Sequence, residues 1–207
     1  MIAVSVSFLL SCLLFFKKYV PLYIKGFTPF LFLSLIVEII GTLQIRRNVS
    51  NTLTYNLSTS IEITFYLWVL LNLLKGKFLK RFILGCIVIY PIISGLDIFF
   101  IQGKDSFHSV GYALGCLLIV FFTIIFFYQL FAKPEATRLS KDSAFWIATG
   151  LLLFYSVSFP LFVFVNFMKT FPAILANNLQ YILIVLNVFL YLLFSIAFLC
   201  RITIKKS

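Results

Sequence analysis

Seven runs of apolar residues, each about as long as a membrane-crossing helix, fill nearly all of this 207-residue chain. A helix needs about 20 predominantly apolar residues to cross the hydrocarbon core of a bilayer. Hydrophobic residues make up 62% of the chain and charged residues 11%, against about 45–50% and about 25% in soluble domains. The sequence therefore predicts an all-α, polytopic transmembrane bundle of seven helices in a single domain, residues 1–207. The predicted spans are residues 1–16, 27–45, 53–74, 82–101, 109–132, 144–168 and 175–200.

The connections between the predicted spans are too short to fold on their own. The longest runs over residues 133–143, far below the size at which a chain buries a stable core. Any functional site must therefore lie between the helices or at their ends.

The basic residues are distributed unevenly between the two sides of the predicted bundle. All but four of the 17 Lys and Arg residues lie after spans one, three, five or seven. Loops rich in Lys and Arg stay in the cytoplasm, so the pattern predicts an outer N-terminus and a cytoplasmic C-terminus. Contact with anionic lipid headgroups explains the net charge of +11, and nucleic-acid binding is not predicted. The four exceptions are Arg46, Arg47, Lys104 and Lys169.

Polar side chains inside the predicted spans form stripes at helical spacing. Glu38 lies near the middle of span two and Glu62 near the middle of span three. Ionisable groups at this depth normally face a bundle interior or water. The stripes are therefore predicted to meet in a polar seam, which binds a ligand, conducts ions or only holds helices together. They comprise Ser34, Glu38 and Thr42; Tyr55, Thr59, Glu62 and Tyr66, with Asn56 beside them; and Gln180, Asn187, Tyr191 and Ser195.

A second group of candidates lies at the predicted outer face. Asp97 is expected to form an ion pair with Arg46, Arg47 or Lys104, because long basic side chains reach the interface readily. His108, the single histidine, is either an outward pH-responsive group or an ordinary loop residue.

The sequence carries no recognisable catalytic or cofactor motif. Asp105, Ser106 and His108 supply the residue types of a serine triad, but neighbours on one short loop seldom reach triad geometry. One histidine and four cysteines scattered over the spans do not provide a metal-ligand set. The sequence therefore predicts a non-enzymatic protein without a cofactor.

Four groups of residues form short motifs: Val37-Glu38-Ile39-Ile40-Gly41, Tyr55-Asn56 with Glu62, Phe100-Ile101-Gln102-Gly103, and Ala144-Phe145-Trp146 with Gly150. They resemble motifs of small seven-span membrane proteins of Bacteroidota, which are largely uncharacterised and some of which lie near histidine kinases. This resemblance implies a seven-helix fold and favours a role in signalling, and it transfers no catalytic residue. We expect the protein to lie in the bacterial inner (plasma) membrane.

Three functional classes are compatible with these features. A receptor-like or signalling-accessory bundle is favoured, and it requires a protein partner or a homo-oligomer because no output domain is present. The alternative is an ion or proton pathway, a transporter or an oligomeric pore, including accessories of bacterial defence systems. A lipid-active enzyme ranks last because the chain offers no nucleophile or metal set.

Overall fold

The computed structural model describes residues 2–104, 106–132, 139–167 and 173–203. These residues form seven α-helices and no β-strand, which confirms the all-α prediction. A π-helical turn, Asp97–Ile101, extends the fourth helix, and a 3-10 turn, Leu139–Lys141, precedes the sixth. The helices are α1 Ile2–Phe15, α2 Leu22–Arg46, α3 Thr52–Leu73, α4 Lys77–Leu96, α5 Ser109–Phe131, α6 Ser143–Phe167 and α7 Ala173–Thr203.

Five helices in the described part of the chain are long and apolar enough to cross a membrane: α2, α4, α5, α6 and α7. The bundle surface carries large exposed apolar side chains, among them Val88, Ile92 and Phe100. Such a surface is stable in lipid and would aggregate in water. The protein is therefore membrane-embedded. The remaining helices are α1, with only 14 residues, and α3, whose sequence contains Glu62, two asparagines and six Ser or Thr residues.

The helices pack as a ring of six with one helix outside. In order around the ring, each of α1, α2, α3, α5, α6 and α7 contacts the next, and α7 returns to α1. Helix α4 lies outside the ring and packs against α3 and α5. The polar helix α3 is therefore covered by α2, α4 and α5.

Odd-numbered helices run in one direction, so the bundle has two chemically different ends. At the basic end, Gln129 in the last turn of α5 bonds the backbone of Lys75 after α3, and Arg201 on α7 donates to the Tyr19 carbonyl. At the opposite end, here called the N-terminal end, Asn56 near the start of α3 donates to the Ser106 carbonyl.

Glycines allow α3 to approach its neighbours closely. A Cβ atom at Gly41 on α2 would lie 2.9 Å from Cζ of Tyr55, and one at Gly115 on α5 would lie 2.9 Å from the Tyr90 hydroxyl and in collision with Ile63. Small residues at helix contacts bring backbones together in membranes, where no hydrophobic force drives helix association. Gly115 therefore marks the junction of α3, α4 and α5.

A layer of buried aromatic rings fills the ring of helices towards the basic end. Tyr66 on α3 lies at its centre, with ring centroids 5.3 Å from Phe30, 5.9 Å from Tyr155 and 5.9 Å from Phe194. Phe27 adds a contact of 5.0 Å to Phe194. Edge-to-face pairs at these distances are attractive and leave little free space. This aromatic layer joins α2, α3, α6 and α7.

A substitution at Gly115 tests the packing of the three-helix junction. Gly115→Val should lower the free energy of unfolding by about 1–3 kcal/mol, because its side chain overlaps the fully buried Ile63. Thermal unfolding of the purified protein in detergent measures the loss. The matched control is Gly85→Val on α4, since a Cβ at Gly85 meets nothing within 4 Å. Equal destabilisation by both variants would contradict the packing.

Candidate functional site

A cavity of about 880 Å³ lies inside the ring of helices, on the N-terminal side of the aromatic layer. Each of the six ring helices contributes to its wall, and Phe107 contributes from the connection before α5. Ligand sites typically occupy about 300–1,000 Å³. Its polar lining includes Ser34 and Glu38 from α2, Tyr55, Thr59 and Glu62 from α3, and Asn187 and Tyr191 from α7.

The cavity brings together most of the predicted polar seam. Glu38, Glu62, Asn187 and Tyr191, all singled out from the sequence, line one space. Residues from the stripes of α2, α3 and α7 therefore lie around one space. The side chain of Gln180, a further member of the α7 stripe, lies outside the described part of the structure.

Four described residues of the predicted seam do not line the cavity: Thr42, Asn56, Tyr66 and Ser195. Tyr66 is fully buried in the aromatic layer, one helical turn beyond Glu62. Asn56 is also fully buried and faces the connection between α4 and α5. Tyr66 therefore packs in the aromatic layer that bounds the cavity, and Asn56 binds the connection before α5.

Glu62 is held in place by a residue that the sequence analysis missed. The Tyr155 hydroxyl on α6 donates a hydrogen bond of 3.1 Å to Oε1 of Glu62 on α3. Tyr155 is fully buried, so this contact crosses the ring between two helices that are not sequence neighbours. The local sequence of α6, with Ser156 and Ser158 close by, does not show that Tyr155 reaches across the ring.

The electrostatic character of the cavity is opposite to that of the chain. The net charge is +11, yet the ionisable carboxyls Glu38 and Glu62 line the cavity, and no Lys, Arg or His does so among the described residues. The carboxyl groups that line the cavity are therefore acidic, although the chain as a whole is basic.

A second polar cluster surrounds His108 at the N-terminal end. Oδ1 of Asn56 accepts a hydrogen bond of 3.3 Å from the His108 backbone N–H and lies 3.0 Å from its Nδ1. The hydroxyls of Thr59 and Ser60 lie 3.4 and 3.5 Å from Nε2. The His108 side chain is fully buried. The prediction of an outward-facing or ordinary loop histidine is therefore wrong, because α3 provides polar partners on both sides of the ring.

Asp97 has a different partner from the one predicted. Its Oδ2 accepts a hydrogen bond of 2.7 Å from the backbone N–H of Gly111 in the first turn of α5. That N–H has no intrahelical partner, and a carboxylate is favourable at this helix end. Asp97 is 1% exposed, whereas Arg46, Arg47 and Lys104 are exposed. The predicted surface ion pair is therefore wrong.

Gln102 completes the cap at the start of α5. Its Oε1 accepts a hydrogen bond of 3.0 Å from the Ser109 backbone N–H. Lys104, one of the predicted ion-pair partners, lies instead with Nζ 5.5 Å from the centroid of the Phe99 ring. The π-helical turn at Asp97–Ile101 thus places a carboxylate and an amide over the same helix end.

Among the described residues, no three His, Cys, Asp or Glu side chains lie close enough together to bind one metal ion. Comparison with protein-family models, curated proteins and solved structures finds no match to this chain. The geometry of the cavity and of the His108 cluster therefore carries the functional argument.

Removal of Asn56 tests whether the His108 cluster anchors the loop. Asn56→Leu leaves the His108 and Ser106 backbone groups without their partner, which should lower the free energy of unfolding by about 1–3 kcal/mol. The control is Asn72→Leu on the same helix, since Asn72 is exposed and donates only to the Trp68 carbonyl one turn earlier. Thermal unfolding in detergent compares them, and equal values would argue against an anchoring role.

Burial of His108 should make stability depend on pH. Burial lowers the pKa of His108 from its ordinary 6.5 to about 4, and nearby Asp97 offsets part of this shift. The unfolded chain binds the proton more tightly, so stability is lost as pH falls from about 6.5 towards 4.

The matched comparison for this pH effect is His108→Gln, which cannot titrate. We expect its unfolding midpoint to fall less steeply than that of the wild-type protein between pH 6.5 and 4.5. The two curves should run parallel between pH 7 and 8. Parallel curves over the whole range would refute the effect of burial.

Proposed function

We propose that this chain is a seven-span, receptor-like membrane protein that binds a ligand in its internal cavity and signals through a partner. The observation that carries the proposal is the cavity itself, in which polar side chains from three predicted stripes meet inside a ring of apolar helices.

In this proposal α1 and α3 cross the membrane together with α2, α4, α5, α6 and α7. Both belong to the ring, and α3 runs parallel to α5 from the N-terminal end to the basic end. The charge asymmetry places the basic end in the cytoplasm. The cavity would then open towards the outside of a bacterial inner membrane.

The aromatic layer supports ligand binding over conduction. Fully buried Phe27, Tyr66, Tyr155 and Phe194 close the ring of helices between the cavity and the basic end. An ion pathway requires a continuous polar route, and this layer interrupts it. A cavity closed on one side suits capture of a molecule from the other side.

Helix α7 provides a mechanical route from the cavity to the basic end. Tyr191 lines the cavity, and its carbonyl accepts a hydrogen bond of 2.7 Å from Ser7 on α1. Ten residues further along α7, Arg201 bonds the Tyr19 carbonyl. A ligand that shifts Tyr191 would move α7 against α1, and this movement would reach a protein partner or a second copy of the chain.

Cysteine labelling tests the proposed orientation of the cavity. Asn187→Cys should react with a membrane-impermeant methanethiosulfonate reagent added to intact cells, because Asn187 lines the cavity. Lys77→Cys, exposed at the basic end, should react only after permeabilisation. The unsubstituted protein, which has four cysteines of its own, gives the background level of labelling. The reverse labelling pattern would overturn the orientation.

A flux measurement separates ligand binding from conduction. Proteoliposomes containing the wild-type protein should show no proton flux above that of protein-free liposomes. A flux that Glu62→Gln abolishes would instead support the alternative of a proton pathway.

A further inference from the structure

We propose that the cavity selects a small organic ammonium ion, a protonated amine carried on an apolar body. This inference rests on the proposed function, because it names the ligand class of the same cavity. It depends on the charge of the lining, on its aromatic walls and on its volume.

The charged groups of the lining favour a cation. Glu38 and Glu62 project from adjacent helices into one space, and the described lining contains no Lys, Arg or His. An anionic ligand would find no counter-ion there. An ammonium group would find the carboxyl groups of Glu38 and Glu62, and charge-assisted hydrogen bonds are about twice as strong as those between neutral groups.

One of the carboxyls is positioned before any ligand arrives. The hydrogen bond from Tyr155 fixes Glu62 against α6, and the aromatic layer holds Tyr155 through its contact with Tyr66. Pre-organised partners bind more tightly because less side-chain freedom is lost. Glu62 is therefore the primary counter-ion in this proposal, and Glu38 faces it as the second.

The walls beside the carboxyls are aromatic. Phe107 stacks on Phe162 with ring centroids 4.8 Å apart, and Tyr112 meets Phe162 at 4.6 Å. All three residues line the cavity. Aromatic faces attract organic cations by about 0.5–2 kcal/mol and also contact an apolar body.

The volume and the walls argue against a bare metal ion. A space of about 880 Å³ accommodates a molecule rather than a single ion. Among the described residues, no three His, Cys, Asp or Glu side chains lie close enough to hold such an ion together. An organic ammonium ion uses both the carboxyls and the aromatic surface.

The ammonium group has two possible sources, a free amine or the headgroup of an aminophospholipid. A phospholipid headgroup brings a phosphate, and the described lining offers that phosphate no basic side chain. The shared chemistry is the protonated amine, and the experiment separates its sources.

The experiment uses matched probes on the purified full chain in an uncharged maltoside detergent. 2-Phenylethylamine and tryptamine are compared with their alcohols, 2-phenylethanol and tryptophol, and with indole-3-acetate. We expect the amines to raise the unfolding temperature and to bind at least about tenfold more tightly than the matched alcohols, as measured by calorimetry. Indole-3-acetate should not bind. Amines that bind no better than their alcohols would overturn the inference.

Three variants test the assigned counter-ions. Glu62→Gln should abolish the preference for amines, and Glu38→Gln should reduce it. Glu62→Asp, which keeps the charge, should retain part of it and remains informative if a Gln variant fails to fold. The control is Asp142→Asn, a carboxyl near the start of α6 that is not in the lining. An amine preference that survives both Gln substitutions would contradict the assignment.

A comparison of two phospholipids identifies the source of the ammonium group. Stabilisation by phosphatidylethanolamine but not by phosphatidylglycerol, lost in Glu62→Gln, would assign the headgroup. Stabilisation by the free amines alone would assign a diffusible ligand. Failure of every amine while Asn187→Cys still reacts from outside would overturn this inference and leave the proposed receptor role intact.

Discussion

The structure depends on the need to shield the polar side chains of α3 from lipid. Hydrocarbon offers no hydrogen bonds, so polar groups inside the bilayer must find partners within the protein. Thr59 and Thr64 on α3 donate hydrogen bonds to backbone carbonyls of the preceding turn, and Glu62 accepts a hydrogen bond from the Tyr155 hydroxyl. The external helix α4 completes this shielding because it covers the face of α3 that the ring leaves open.

The two faces of α3 organise two polar regions that share a wall. Glu62 and Tyr55 face the cavity, whereas Asn56 and Ser60 face His108 and α4. Thr59 belongs to both regions, since it lines the cavity and lies 3.4 Å from His108. The loop that Asn56 anchors also carries Phe107 into the cavity wall. The stability of the His108 cluster and the shape of the cavity are therefore coupled.

Sequence patterns predicted the helices and much of the site, but not how the helices are arranged. Apolar runs ended by charged or polar residues predicted α3 as residues 53–74, against Thr52–Leu73 in the structure. Helical spacing predicted that Glu38, Glu62 and Tyr191 share one seam. The position of α4 outside the ring was not predictable, because lipid-facing and core-facing sides of these helices are equally apolar. For the same reason the sequence did not single out Tyr155 as a partner of Glu62. The hydrogen bond that the Gly111 N–H donates to Asp97 could not be predicted either, because it forms only where two helices meet.

The placement of the carboxyls argues that the cavity was not built for stability alone. A buried carboxyl costs about 2.5–3.5 kcal/mol to insert at membrane depth, and an amide at Glu38 or Glu62 would make hydrogen bonds at a lower cost. Asp97 has a structural role that a carboxylate serves well, since it caps α5. Glu62 accepts a hydrogen bond from Tyr155, and it lines the cavity together with Glu38. Two acidic groups that line one cavity, in a chain with a net charge of +11, are the observation on which the proposed cationic ligand rests.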